Sequence, residues 1–181
     1  MDNKFPLPKA ELEAKIAAGA IDTVVVAMTD MQGRLVGKRL DANYFLSDVL
    51  KHGTEGCNYL LAVDVDMNTV PGYEMSSWDK GYSDLAMLPD LNTLRYIPWQ
   101  DGAALLLADV AWLDHTDVVA SPRQILKKQV KALADAGMKA MVGTELEFVV
   151  YNNTYEEAWS KGYKNLTPSN QYNVDYSILG G

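Results

Sequence analysis

Residues 22–40 read Asp22-Thr23-Val24-Val25-Val26-Ala27-Met28-Thr29-Asp30-Met31-Gln32-Gly33-Arg34-Leu35-Val36-Gly37-Lys38-Arg39-Leu40. The β-branched run Asp22 to Met28 predicts a buried strand, because such side chains pack well on a pleated surface and lose helix rotamers. Thr29-Asp30-Met31-Gln32-Gly33 is turn chemistry, and Arg34 to Leu40 predicts a returning strand. The pair is a β-hairpin, the seed of a sheet.

Working outward, Pro8 suits the first turn of a short helix. Its apolar side carries Leu12 and Ile16, and Gly19 ends it. Tyr44, Phe45, Leu46, Val49 and Leu50 predict a second helix stopping near His52-Gly53, and Cys57 to Met67 a further strand. From Asn68 to Asn92 the periodicity breaks down around Pro71, Gly72, Gly81 and Pro89, yet Tyr73, Trp78 and Tyr82 argue against disorder. A long structureless stretch within a compact domain usually has a function. Thr93–Ile97 and Ala103–Val110 predict two more strands, the second apolar enough to be central.

A boundary falls at Leu113-Asp114-His115-Thr116-Asp117. Ser121-Pro122-Arg123 then opens a helix expected over about 121–137, with Ser121 as cap and Gly137 as terminator. Met138 to Tyr151 predicts a long strand, and Tyr155 to Trp159 a helical turn before a polar tail. The fold class is α+β: a small mixed sheet with one or two helices over residues 1–117, then the opening of a second α/β unit over 118–181. Ile178-Leu179-Gly180-Gly181 supplies no closing element, so the chain is expected to be cut short.

Composition narrows the function classes. The 181 residues carry 24 Asp and Glu against 16 Lys and Arg, a net charge of −8. That excess repels nucleic-acid phosphates and anionic lipid, and argues against a nucleic-acid or membrane partner. The longest apolar stretch, Ala103 to Leu113, is interrupted by Asp109 and too short to cross a bilayer. Met1-Asp2-Asn3 is not the basic start of a secretory leader, and the single Cys57 forms no internal disulfide, so a cytoplasmic location is expected.

The sharpest chemical signal is Thr144-Glu145-Leu146-Glu147-Phe148. On a strand, Glu145 and Glu147 would share a face about 7 Å apart while Leu146 and Phe148 face a core. Two such carboxylates suit one hard divalent cation or two neighbouring ones, Mg²⁺ or Mn²⁺, which often arrive with a nucleotide phosphate. Two merely solvated glutamates on a half-exposed strand fit the same pattern. Asp64-Val65-Asp66-Met67-Asn68 starts like a calcium loop, but Thr69 stands where Gly is needed and Met75 where Glu is needed. There is no Walker loop and no G-x-G-x-x-G, while Cys57, His52 and His115 read as structural or solvated. Asp64, Asp66 and the Trp78 segment suit the lining of a small-molecule pocket, and Trp78 suits a core position equally.

Five segments, in order, resemble the glutamine synthetase family. Thr29-Asp30-Met31-Gln32-Gly33-Arg34 is similar to its D-x-x-G-x-x-R stretch, and Ser83-Asp84-Leu85-Ala86-Met87-Leu88-Pro89-Asp90 to its S-D-M/L-x-L-x-P-D motif. Ile97-Pro98-Trp99 resembles a following P-W, Ser121-Pro122-Arg123 the D/S-P-R that opens the catalytic domain, and Gly143 to Phe148 the G-x-E-x-E-F metal strand. The resemblance implies an N-terminal β-grasp domain followed by the truncated start of the α/β catalytic domain. It implies two Mg²⁺ or Mn²⁺ ions, with Glu147 serving the ion beside glutamate and Glu145 the ion beside the ATP phosphates. ATP would phosphorylate the γ-carboxylate of glutamate, and an amine or ammonia would displace the phosphate. A homo-oligomer of stacked rings, with active sites shared between subunits, is implied as well.

Pro71-Gly72-Tyr73-Glu74 stands where ammonia-using members have D-G-S-S, whose Asp helps bind ammonium. Proline supplies no carboxylate. Asn58-Tyr59-Leu60-Leu61-Ala62 and Gly72-Tyr73 are instead similar to the γ-glutamyl-polyamine and γ-glutamyl-alkylamide ligases. An organic amine needs an apolar or aromatic pocket, for which Asp64, Tyr73 and Trp78 are the candidates. The expectation is the N-terminal portion of an ATP-dependent glutamate–amine ligase, inactive by itself, with no catalytic acid or base assigned. Glutamine synthetase proper and a non-catalytic β-grasp interaction module are the alternatives.

Overall fold

A computed structural model describes residues 5–76, 79 and 81–170. They fall into two compact units, divided after Ala140.

The first unit is a five-stranded mixed sheet in the order β2-β1-β5-β4-β3. Its strands are β1 (Thr23–Thr29), β2 (Leu35–Asp41), β3 (Thr54–Cys57), β4 (Asp84–Tyr96) and β5 (Ala103–Ala111). The expected hairpin forms as β1 and β2, antiparallel from Thr23 opposite Asp41 to Thr29 opposite Leu35. β5 is the central strand, parallel to β1 and antiparallel to β4. Alternating burial along β5 buries Ala104, Leu106, Ala108 and Val110, as the period-2 pleat requires.

Helix α1 (Lys9–Ala17) buries Leu12 and Ile16. A continuous helical segment, α2, covers 42–52, and its middle turn Phe45–Val49 is π-helical. Asp41 caps it by accepting from the Tyr44 N–H at 2.9 Å. Phe45 and Val49 join Val24, Val26, Met28, Leu85, Met87 and Leu106 in one apolar core. Each such side chain contributes roughly 1.5–3 kcal/mol by leaving water.

Helix α3 spans Pro122–Asp135, with Pro122 in the first turn. Ser121 occupies the cap position, but its buried hydroxyl finds no partner among the described residues, contrary to the expected side-chain cap. Gly137 at φ 74° closes the helix, with its N–H on Ala134 O and that of Met138 on Leu133 O. In the second unit, α4 (Tyr155–Ser160) carries a reciprocal capping box between Thr154 and Glu157.

Three strand expectations are corrected. The strand predicted over Cys57–Met67 is a short β3 followed by a 3₁₀ turn, Asn58–Leu61. Apolar runs of this length do not distinguish a buried strand from a buried turn. The segment read as irregular to Asn92 becomes β4 at Asp84. Pro89 is tolerated because β3 covers β4 only from Asp84 to Met87, so that beyond it β4 lies at the sheet edge. A register shift follows between Asp90 and Arg95, where the Thr93 hydroxyl accepts from the Leu107 N–H at 2.7 Å and mends the ladder.

The third correction concerns Met138–Tyr151. Residues 138–150 pair with no described strand, and Tyr151 alone bridges Pro168. Leu146 and Phe148, expected to face a core, are 86% and 72% exposed. A strand requires a neighbour for its N–H and C=O groups, and among the described residues no strand lies beside 138–150.

Candidate functional site

The hairpin turn between β1 and β2 is built around a buried carboxylate. Asp30, 1% exposed, accepts from the N–H groups of Gln32 (2.9 Å) and Arg34 (2.8 Å) through Oδ1, and from Arg34 Nε (2.7 Å) through Oδ2. Burial pushes its pKa up. The hydrogen bonds from Arg34 and the Gln32 N–H, with the Arg34 charge, outweigh that effect and hold it below the ordinary carboxylate value. Gly33 completes the turn at φ 82°, a left-handed conformation that glycine adopts without a steric penalty.

Side chains of this turn reach the segment carrying one substrate candidate. Arg34 Nη1 donates to Val65 O at 2.6 Å and Nη2 to Asp64 O at 3.3 Å, while Gln32 Nε2 donates to Val63 O at 3.0 Å. Asp64 turns its carboxylate into its own loop. Oδ1 accepts from the Asp66 and Asn68 N–H groups, each at 2.9 Å, and the Asn68 amide donates to both oxygens. Those contacts, led by the Asn68 N–H, lower its pKa. The loop that resembles a calcium site in sequence is thus closed by an Asx turn.

Asn58 holds the other end of the same stretch. Only 1% exposed, it donates through Nδ2 to Met75 O at 2.9 Å and to the Ser83 hydroxyl at 3.1 Å, and accepts from the Ser83 N–H. Tyr59 and Tyr82 meet edge-to-face at 6.2 Å. Tyr73 is 41% exposed, and Trp78 lies outside the described residues. The partners of Asn58 were missed in the sequence, because its hydrogen bonds join residues 17 and 25 apart, whereas those of Asp30 stay within its own turn. The turn chemistry of Asp30-Met31-Gln32-Gly33 and the family resemblance over Thr29–Arg34 and Asn58–Ala62 marked the positions without their partners.

Two of the motifs meet through charge. Arg123, at the start of α3, donates from Nε to Asp109 Oδ1 on β5 at 2.8 Å and from Nη2 to Asp90 Oδ2 on β4. Lys127 also reaches Asp109. The S-P-R arginine and the P-D aspartate are therefore direct partners.

In the second unit, Glu145 and Glu147 are both exposed. The segment is tied just beyond them, where the Ser169 N–H donates to Val150 O at 2.8 Å and the Asn152 N–H to Thr167 O at 3.0 Å. Among the described residues, no group of three or more His, Cys, Asp or Glu side chains is gathered to hold a metal. Two unpaired carboxylates have the donor chemistry for a hard cation and supply part of its shell, the rest falling to water or phosphate. His52 and His115 are exposed, and Cys57 is half-buried. No helix among the described residues is long and apolar enough to cross a membrane.

Residues 119–177 match the family model described as glutamine synthetase, catalytic domain. The chain is 62% identical over 179 residues to the γ-glutamylethanolamide synthetase GlnA4 of Streptomyces coelicolor, covering 99% of this chain and 39% of that protein. It is 33% identical over 159 residues to a glutamate–isopropylamine ligase of a Pseudomonas species, covering 88% of this chain and 35% of that one. It therefore spans well under half the length of either relative. In fold it resembles a crystal structure titled novel glutamine synthase homolog, with TM-score 0.55 and 20% identity over 78% of this chain and 35% of that one. A GmaS structure in complex with ADP gives TM-score 0.53 and 21% identity over 69% of this chain and 26% of that chain. With the five ordered motifs, these similarities lead to one conclusion: the chain belongs to the glutamine synthetase family.

Proposed function

We propose that this chain is the N-terminal part of an ATP-dependent ligase that joins the γ-carboxylate of glutamate to a small organic amine. The 62% identity to a γ-glutamylethanolamide synthetase, running through 99% of the chain, carries this proposal. It favours an alkanolamine over ammonia. Pro71-Gly72-Tyr73-Glu74 in place of the ammonium-site D-G-S-S supports the same choice.

In this proposal residues 1–117 are a β-grasp domain and 118–181 open the catalytic domain. The parallel pair β1–β5, the flanking hairpin and the helix after it support the first assignment. Glu145 and Glu147 would hold Mg²⁺ or Mn²⁺, as oxygen donors suited to hard cations. Divalent ions bound there supply charge neutralisation at a transferring phosphoryl group. Asp64, Tyr73 and Trp78 would belong to the acceptor pocket. With both Asp64 oxygens engaged by its own loop, that carboxylate would shape the pocket rather than take a proton. The N-terminal domain would complete the active site of a neighbouring subunit in a ring assembly. ATP and glutamate as substrates, with a lone free thiol, suit the cytoplasm.

The test is phosphate release by the complete protein with ATP, glutamate and one amine at a time: ethanolamine, isopropylamine, putrescine or ammonia. Ethanolamine is expected to give the highest kcat/KM, by about tenfold or more over ammonia. Turnover with ammonia alone would return the protein to glutamine synthetase proper. The residues 1–181 by themselves are expected to release no phosphate above background.

A further inference from the structure

The geometry points to Arg34, supported by Asp30 and Gln32, as a positioning residue for the acceptor-amine loop. This inference rests on the proposal that the stretch from Asp64 to Tyr73 belongs to the amine pocket. Three successive carbonyls, of Val63, Asp64 and Val65, accept hydrogen bonds from only two side chains, Gln32 and Arg34. The same guanidinium is aimed by Asp30 at 2.7 Å and by Gln32 Oε1 at 3.2 Å.

This is a use of arginine that lysine cannot copy. The planar fork sends donors in several fixed directions at once, whereas an ammonium is a single point with rotating donors. Asp30 is itself immobile, since its other oxygen is held by two backbone N–H groups and its side chain is fully buried. The turn it organises belongs to the β1–β2 hairpin, which is paired over its whole length. The clamp therefore transmits the rigidity of the sheet to a loop that otherwise rests on its own Asx turn, the bridge between Val63 and Thr69, and the Val70 N–H on Ala62 O. Fixing backbone in this way lowers the ordering cost when a small substrate binds. Neutralised by Asp30 and spent on carbonyls, Arg34 acts through the loop and not on the amine.

The experiment compares the complete protein with its Arg34→Ala, Arg34→Lys and Tyr73→Ala variants. The readouts are KM for ethanolamine, ATP and glutamate, with amide hydrogen exchange over residues 63–75. Arg34→Ala is expected to raise the ethanolamine KM about tenfold while the ATP and glutamate KM stay within about twofold. Exchange over 63–75 should quicken, and Arg34→Lys should recover only part of the loss. An equal rise in all three KM values, or faster exchange with an unchanged ethanolamine KM, would overturn the inference. Tyr73→Ala separates the two levels. If it raises the ethanolamine KM and Arg34→Ala does not, the clamp fails and the pocket assignment stands. If neither does, the pocket assignment fails and takes the clamp with it. Should Arg34→Ala not fold, Gln32→Ala removes the tie to Val63 and the Gln32 contact to the guanidinium while leaving Arg34 on Asp30 and Val65 O, and should give a rise of about two- to threefold with the same selectivity.

Discussion

Arg123 in the first turn of α3 donates from Nε to Asp109 Oδ1 on the central strand at 2.8 Å, with only 18% and 22% of the two side chains exposed. The same guanidinium pairs with Asp90 at the register shift of β4, so one side chain joins the helix to two strands. Lys127, one turn further along, closes the cluster at 2.5 Å from the other Asp109 oxygen.

Removing Arg123 leaves Asp90 uncompensated and Asp109 with Lys127 alone. Arg123→Ala should cost about 1–3 kcal/mol at pH 7, measured by urea unfolding. The acid limb of the stability profile should also change. Burial raises the pKa of Asp109, but hydrogen bonds from Lys127 and Arg123, with their charges, win and leave it depressed. A carboxylate whose folded pKa lies below its unfolded value stabilises the fold above that unfolded value, and this contribution is lost as pH falls through the folded one. Stability should therefore fall on acidification below about pH 4, and less steeply in Arg123→Ala.

Two glycines of the first hairpin should respond to alanine in opposite degree. A Cβ on Gly37 would lie 2.0 Å from Val26 O on the paired strand, where only backbone displacement relieves the clash. Gly37→Ala should lower stability by about 3 kcal/mol or more, or prevent folding. At Gly33 nothing lies within 4 Å of such an atom, and only the positive φ opposes it. Gly33→Ala should cost roughly 1–2 kcal/mol. Thermal unfolding of both variants checks the ranking.

Glu145→Gln and Glu147→Gln remove charge from exposed positions, so neither should move the thermal midpoint appreciably. Their effect should appear in metal binding. In the complete protein, each is expected to weaken Mn²⁺ by at least about tenfold in an isothermal titration. Equal affinities for wild type and both variants would favour the interaction-module alternative.

Asn58→Ala strips donors from Met75 O and the Ser83 hydroxyl and an acceptor from the Ser83 N–H. Losing these bonds, from a buried side chain to the half-buried Met75 and the exposed Ser83, should cost about 1 kcal/mol. Limited proteolysis should show cleavage near residues 68–82 at lower protease concentrations than in wild type. Unchanged resistance would show that the segment is held elsewhere.

The amino-acid pattern alone was sufficient for the β1–β2 hairpin, the centrality of β5, the helix opened by Ser121-Pro122-Arg123 and the family. Each element is written in contiguous residues, as a β-branched or apolar run, turn chemistry or a helix start, and the family in five short motifs, each local in itself. Tertiary structure decided that Asn58 begins a turn, that Pro89 sits within a strand, and that Gln32 and Arg34 grip a loop beginning at Val63. Those outcomes depend on which groups meet across the fold: an edge left uncovered beyond Met87, and carbonyls needing donors. Strand pairing and the bonds from Gln32 and Arg34 to the Val63–Val65 carbonyls are satisfied between distant segments, and no window of neighbouring residues contains both partners.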